Sequence, residues 1–160
     1  MYPAVSIEVT VSSAQEAINA VINGSTDMAV TMFSPPDQLV DVRFKLHVYH
    51  EVVMSPDHPL AQLKEVSLDA IRSYQIAMSD CSFGVRRAFD QHQRHEGLEP
   101  IEAAFRTSSL KLQKELASHQ AAVIILPAMS VAREIKSKEL VVRPFAEQCE
   151  IVTDLQLGRA

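Results

Sequence analysis

VSIEVTVSSAQEAINAVINGSTDMAVTMF, residues Val5 to Phe33, is the stretch whose reading decides the fold class. Val5, Ile7, Val9 and Val11 alternate with Ser6, Glu8, Thr10 and Ser12, a period of two that predicts a strand. Ser13 and Glu16 then form an S-x-x-E capping box. Ala14, Ala17, Ile18, Val21 and Ile22 follow at helical spacing, and Gly24 stands where a left-handed C-cap is needed. Asp27–Phe33 is a short apolar run bounded by turns, the pattern of a buried parallel strand. The stretch therefore predicts β-α-β, with a right-handed crossover placing the helix on one face of a parallel sheet.

Downstream, Pro35 and Pro36 break the chain before a long strand, Phe44–Met54, which ends in MSPDHPLA, residues Met54–Ala61. Pro56 and Pro59 lock φ and remove backbone donors there, so the strand must stop. Asp57 and His58 can hydrogen-bond the turn, and Ser67 can cap the helix-like run Val66–Ser73. The alternation then repeats. Strands are expected at Gln75–Met78, Ile101–Phe105 and Ala122–Leu126, helices at Ser82–Glu96, Ser109–Ser118 and Ala128–Lys136. Late strands are expected at Leu140–Val142 and Glu150–Leu157. This order of elements is that of an α/β fold. Opening on Tyr2-Pro3 and ending just after a strand, the chain reads as a fragment.

Bulk properties narrow the function. The 160 residues are 47% hydrophobic and carry a net charge of −5, which suits an ordered globular domain and disfavours polyanion binding. No apolar run is long enough to span a bilayer, and no secretory signal pattern opens the sequence, so a cytoplasmic, membrane-free setting is expected. Two cysteines, Cys81 and Cys149, are too few for a disulfide scaffold.

Six segments, in order, carry a resemblance: YPAVSIEV, the helix ending in NGSTDMAVT, MSPDHPLA, IAMSDCSFGVRRAF, TSSLKLQKEL and IILP. Together they resemble the effector-binding (substrate-binding) domain of LysR-type transcriptional regulators. Gln120 and Ala122 stand where that family has G-x-G, and the family's first strand, first helix and last helix have no counterpart here. The resemblance implies a two-lobed α/β fold of the type 2 periplasmic-binding-protein kind, with a ligand cleft between the lobes. It places residues 1–47 and 150–160 in an incomplete first lobe and residues 48–149 in the second, with no DNA-binding domain present. A small organic, anionic effector is the expected partner. DNA would be reached only through a winged helix-turn-helix absent here, and homo-oligomerisation is expected of the full-length form.

The favoured site is S-D-C-S-F-G, Ser79–Gly84, beyond the carboxyl end of a predicted strand, where free N–H groups at a helix start favour an anion. Ser82, Phe83 and Gly84 are the candidates within it. Thr107, Ser108 and Ser109 hold the equivalent junction in the next unit, although capping is the commoner use of such hydroxyls. Met32, Phe33 and Ser34 would form the opposite wall, and Leu126 and Pro127 the far side. Arg86 and Arg87 are secondary candidates for pairing with an anion. Cys81, near a helix start, admits a redox-sensing alternative, and a solute-binding protein of the same architecture is another. His92 with His95, and His47 with His50, lack a third ligand, so solvent-facing histidines are expected and no metal or cofactor is assigned. No carboxylate pair or nucleophile motif argues for catalysis.

Overall fold

The computed structural model describes residues 5–32, 39–79, 84–146 and 151–159. Among these, Ser13 caps α1 (Ala14–Ile22) with the expected box: its Oγ accepts from Glu16 N, while Glu16 accepts from the Ser13 backbone N–H at 2.9 Å. Gly24 follows at φ +73°, the left-handed position that glycine enters without a steric penalty. The strand expected at Val5–Val11 does not form. These residues adopt no regular structure, and Val5, Ile7, Val9 and Val11 are 62–94% exposed. Alternation supplies two distinct faces but no hydrogen-bonding neighbour, and a strand persists only beside one.

Nor is the next strand parallel and buried. Strand β1 (Ala29–Met32) pairs antiparallel with the last strand, β7 (Ile151–Arg159), through Ala29↔Gly158 to Met32↔Leu155. β7 in turn pairs antiparallel with β2 (Asp41–Met54), with a register shift between Val42 and Phe44. The first unit is thus a helix laid on three antiparallel strands, rather than the expected crossover. Its α1 packs against β1 and β7, where Ile18, Val21, Ala29 and Thr31 are buried. Direct cross-strand neighbours share a face, so the opposite side carries two apolar rows, Val30–Leu157–Phe44 and Met32–Leu155–Leu46. Val30, Phe44 and Leu46 are exposed there.

β2 continues into a second group of strands. Its end pairs with β5 (Val123–Leu126) through Glu51–Val53 and with β6 (Val141–Arg143) through Val52–Met54. β5 lies parallel to β3 (Ile76–Met78), which lies parallel to β4 (Phe105–Arg106). The order is β1-β7-β2-β5-β3-β4, with β6 alongside β2. β4 is shorter than expected: Ile101 is buried in the core but outside regular structure.

Here alternation sorts side chains into two cores. Val52, Met54, Ile76, Met78, Val123 and Ile125 face one way, under α2 (Leu68–Arg72) and α3 (Gly84–His95), with Leu68, Ile71 and Phe89 closing over them. Val53, Ala77, Ile124 and Leu126 face the other way, with Ala117 of α4 (Leu110–Ser118), Val131 and Leu140. Both faces are covered, which explains why these strands read as continuous apolar runs. Ser67 caps α2, and Pro127 ends β5 before a 3-10 turn (Ala128–Val131) and α5 (Ala132–Ser137). In the DHP turn the histidine acts as expected, whereas Asp57 contributes its backbone N–H, donated to Ser55 Oγ at 3.3 Å. His58 Nδ1 accepts from Leu60 N at 3.2 Å, and its ring packs edge-on to Tyr74.

The histidine expectation needs correcting at two residues: His92 is half-buried, with its Nε2 shielded from solvent, and His50 departs further. His47 is exposed beside Asp154, but His50 is only 2% exposed and its Nε2 lies 2.7 Å from Thr153 Oγ1, across β2 and β7. The mainly polar alternation around it hid that β2 passes from an open face into the packed half at this residue.

Candidate functional site

A cavity of about 310 Å³ opens where the carboxyl ends of several strands meet the beginnings of helices. Thr31 and Met32 come from the end of β1, Met78 and Ser79 from the end of β3, and Leu126 and Pro127 from the end of β5. Ser12, Ala14 and Ala17 bring the start of α1; Ser108, Leu110 and Gln113 bring the start of α4. Val11, Val30, Ile125 and Ser130 complete the wall. Among the described residues that line it, apolar side chains dominate, punctuated by five hydroxyls and one amide, and none is charged.

Electrostatics come instead from backbone. The first N–H groups of a helix have no intrahelical acceptor, and their aligned dipoles favour negative charge. At α1 the cap uses the N–H groups of Ser13 and Glu16, leaving those of Ala14 and Gln15 without a partner among the described residues. At α4, Ser109 Oγ takes Leu112 N–H and Thr107 Oγ1 takes Ser109 N–H, leaving those of Leu110 and Lys111. Ala14 and Leu110 both line the cavity. Two helix starts therefore converge on one chamber.

Of the sequence candidates, Met32, Ser108, Leu126 and Pro127 line this cavity together. Thr107 does not. Its Oγ1 caps Ser109 N–H, its carbonyl accepts from Gln113 Nε2 at 2.8 Å, and its N–H bonds Met78 O. Gly84 begins α3, the element that follows the favoured S-D-C-S-F-G stretch. Phe33, Cys81, Ser82 and Phe83, and with them Ser34, lie outside the described residues. Arg86 is held by Asp90, Nε to carboxylate 2.9 Å, with Nη1 3.7 Å from Met78 Sδ, so its charge is matched one turn along its own helix. Among the described residues no group of three or more metal-ligating side chains occurs.

Sequence reasoning missed the α1 side of the chamber and Gln113. Both left a signal. The capping box marked where α1 begins, and Gln113 is a polar residue on the buried stripe that α4 shares with Ala117. A buried polar side chain is more informative than an exposed apolar one.

A wider depression of about 660 Å³ lies between α4 and α5, lined by Lys111, Lys114, Arg133, Glu134 and other polar residues. Its charges are of both signs, and Lys114 Nζ pairs with Glu134 at 3.0 Å, which holds that carboxyl below its ordinary range. No residue of a described strand lines it, and it has the character of a solvated charged surface.

Comparison with known proteins identifies the fold and the family. The chain is 24% identical over 151 residues to a "Probable nitrogen assimilation transcriptional activator" of Synechococcus elongatus, covering 91% of this chain and 48% of that protein. It thus spans about half the length of that relative. The regulatory domain of Synechocystis PCC6803 CcmR in complex with 2-PG superposes with a TM-score of 0.80 at 17% identity, over 99% of this chain and 75% of that one. The effector-binding domain of QuiR in complex with shikimate superposes with a TM-score of 0.76 at 16% identity, over 92% and 68%. The fold is accordingly the two-lobed type 2 periplasmic-binding-protein-like one. No described helix is long and apolar enough to cross a membrane. The family model for the LysR substrate binding domain matches residues 1–157, and with the cleft, fold and relatives in agreement, this chain belongs to the LysR substrate-binding domain family.

Proposed function

We propose that the 310 Å³ chamber is an effector site for a small organic anion, and that its occupancy sets how the two lobes stand relative to one another. One observation carries this reading: the starts of α1 and α4, each with unpaired N–H groups, converge on a chamber whose other polar groups are mostly hydroxyls. Such donors stabilise a carboxylate or phosphate without any charged side chain. The relatives in complex with shikimate and 2-PG support a small-molecule ligand for this fold. Met32 and Ser108 are the wall residues assigned to contact, with Leu126 and Pro127 closing the far side. Ser82, Phe83 and Gly84 would extend the site from the start of α3.

In this reading the lobes are residues 1–47 with 150–160, and residues 48–149, hinged on β2 and β7. The effector shifts their arrangement only by its difference in affinity for the two states. The domain works by binding rather than by turnover, in a cytoplasmic regulator whose DNA-binding part lies elsewhere. A thermal-shift screen of metabolite acids tests this directly. A ligand that raises the unfolding temperature should lose several-fold affinity in Ser108→Ala and none in Ser118→Ala, at the far end of α4. Equal effects of the two substitutions, or no stabilising acid at all, would remove the assignment.

A further inference from the structure

The amide of Gln113 is a polar group in the chamber wall whose orientation the fold dictates. Its side chain sits on the buried face of α4 and is 3% exposed. Thr107 presents a carbonyl oxygen to it, and a carbonyl can only accept, so the NH₂ end of the amide must be the end 2.8 Å away. The Oε1 end is then turned from Thr107, and no described residue donates a hydrogen bond to it. Hydroxyls can rotate to give or take a proton; this oxygen can only take one.

The geometry points to Gln113 as a specificity residue, its Oε1 accepting a hydrogen bond from a hydroxyl or N–H on the effector. The inference rests on the proposed function, and it narrows the ligand class. A plain apolar acid would satisfy the N–H groups at the helix starts but leave Oε1 buried against an apolar surface, which is costly. A hydroxy acid satisfies both ends: its anionic group meets the amides of Ala14 and Leu110, and its hydroxyl meets Gln113. A site built to hydrogen-bond a ligand hydroxyl rejects the analogue lacking it far more strongly than an apolar pocket rejects a missing methylene. Sorting hydroxylated from deoxygenated acids is therefore the property assigned to Gln113.

Matched pairs test it: shikimate against cyclohex-1-ene-1-carboxylate, and glycerate against propionate, titrated calorimetrically at millimolar concentration. The hydroxylated member of at least one pair should bind the unaltered chain about tenfold or more tightly than its partner. Gln113→Met should abolish that preference by weakening the hydroxylated acid alone. Should Gln113→Met fail to fold, Gln113→Asn, one methylene too short to span Thr107 and the ligand, takes its place. In the unaltered chain the Gln113 side-chain amide resonances should move with the hydroxylated acid and stay put with the deoxygenated one. Equal affinities within each pair, or a preference that survives in the variants, would overturn the role of Gln113 while leaving the acid site intact. Absence of binding by all four acids would overturn the acid site itself, and this inference with it.

Discussion

The two ends of β2 are built from similar sequence and meet opposite fates. Phe44 and Leu46 alternate with charged residues on an open sheet face, whereas Val52, Val53 and Met54 have no exposure at all. What differs is the covering. α1 closes only one side of the β1-β7-β2 group, while α2 and α3 on one face and α4 on the other enclose β5, β3 and the end of β2. Alternation tells which side chains share a face. It does not tell whether anything lies on that face, and the energetic weight of a residue depends on that second fact.

The largest expected effect separates the two halves with one residue type. Phe89, fully buried under the second group of strands, should cost about 3–5 kcal/mol when cut to alanine. Phe44, 53% exposed in the first group, should cost under about 1 kcal/mol. Denaturant midpoints measure both, and similar losses would break the comparison.

The crossing point between the halves should respond to acid. Burial pushes the His50 imidazole down to about 4, against about 6.5 in an unfolded chain. The unfolded state therefore binds the extra proton first as pH falls. The contribution is whole above pH 6.5 and drains away towards pH 4, an order-of-magnitude loss of 3 kcal/mol, about as large as a core truncation. His58, lowered by burial in its turn, acts in the same direction. Unfolding midpoints across that window should flatten in His50→Asn, which keeps a partner for Thr153; an unchanged slope would place the acid response elsewhere.

Two smaller effects sharpen the contrast at helix ends. Ser13→Ala removes the capping box of α1, the helix covering the thinly packed half, and should cost about 1 kcal/mol by thermal unfolding. Gln120 follows α4 at φ 59°, a left-handed position that disfavours any side chain, and it occupies one of the places where the family has glycine. Gln120→Gly should therefore stabilise the enclosed half by about 0.5–1 kcal/mol, read as a raised midpoint. A loss would show that the Gln120 side chain holds something the strain offsets.

Much of the architecture was legible from residues. The capping box, the DHP stop, the serine caps at Ser67 and Ser109, and the apolar runs that became β3 and β5 each act through neighbours within a few positions. Local chemistry of that kind is written in the order of the chain. The candidate site was half legible. Ser108 and Pro127 follow from the rule that ligands sit beyond strand ends, but Thr107, one position away, spends its polar groups on Gln113, Ser109 and Met78. Adjacent hydroxyls look alike until their hydrogen bonds are known.

What the amino-acid order determined alone is the helices and most of the strands, their caps and stops, and the family to which their succession points. Tertiary structure alone decided that Val5–Val11 has no strand partner among the described residues, that β1 runs antiparallel to β7, that His50 is buried, and that α1 and α4 begin at one chamber. The reason is physical. A helix closes its hydrogen bonds within itself, so its own residues specify it, whereas a strand, a buried polar group or a binding wall is completed by residues far away in sequence.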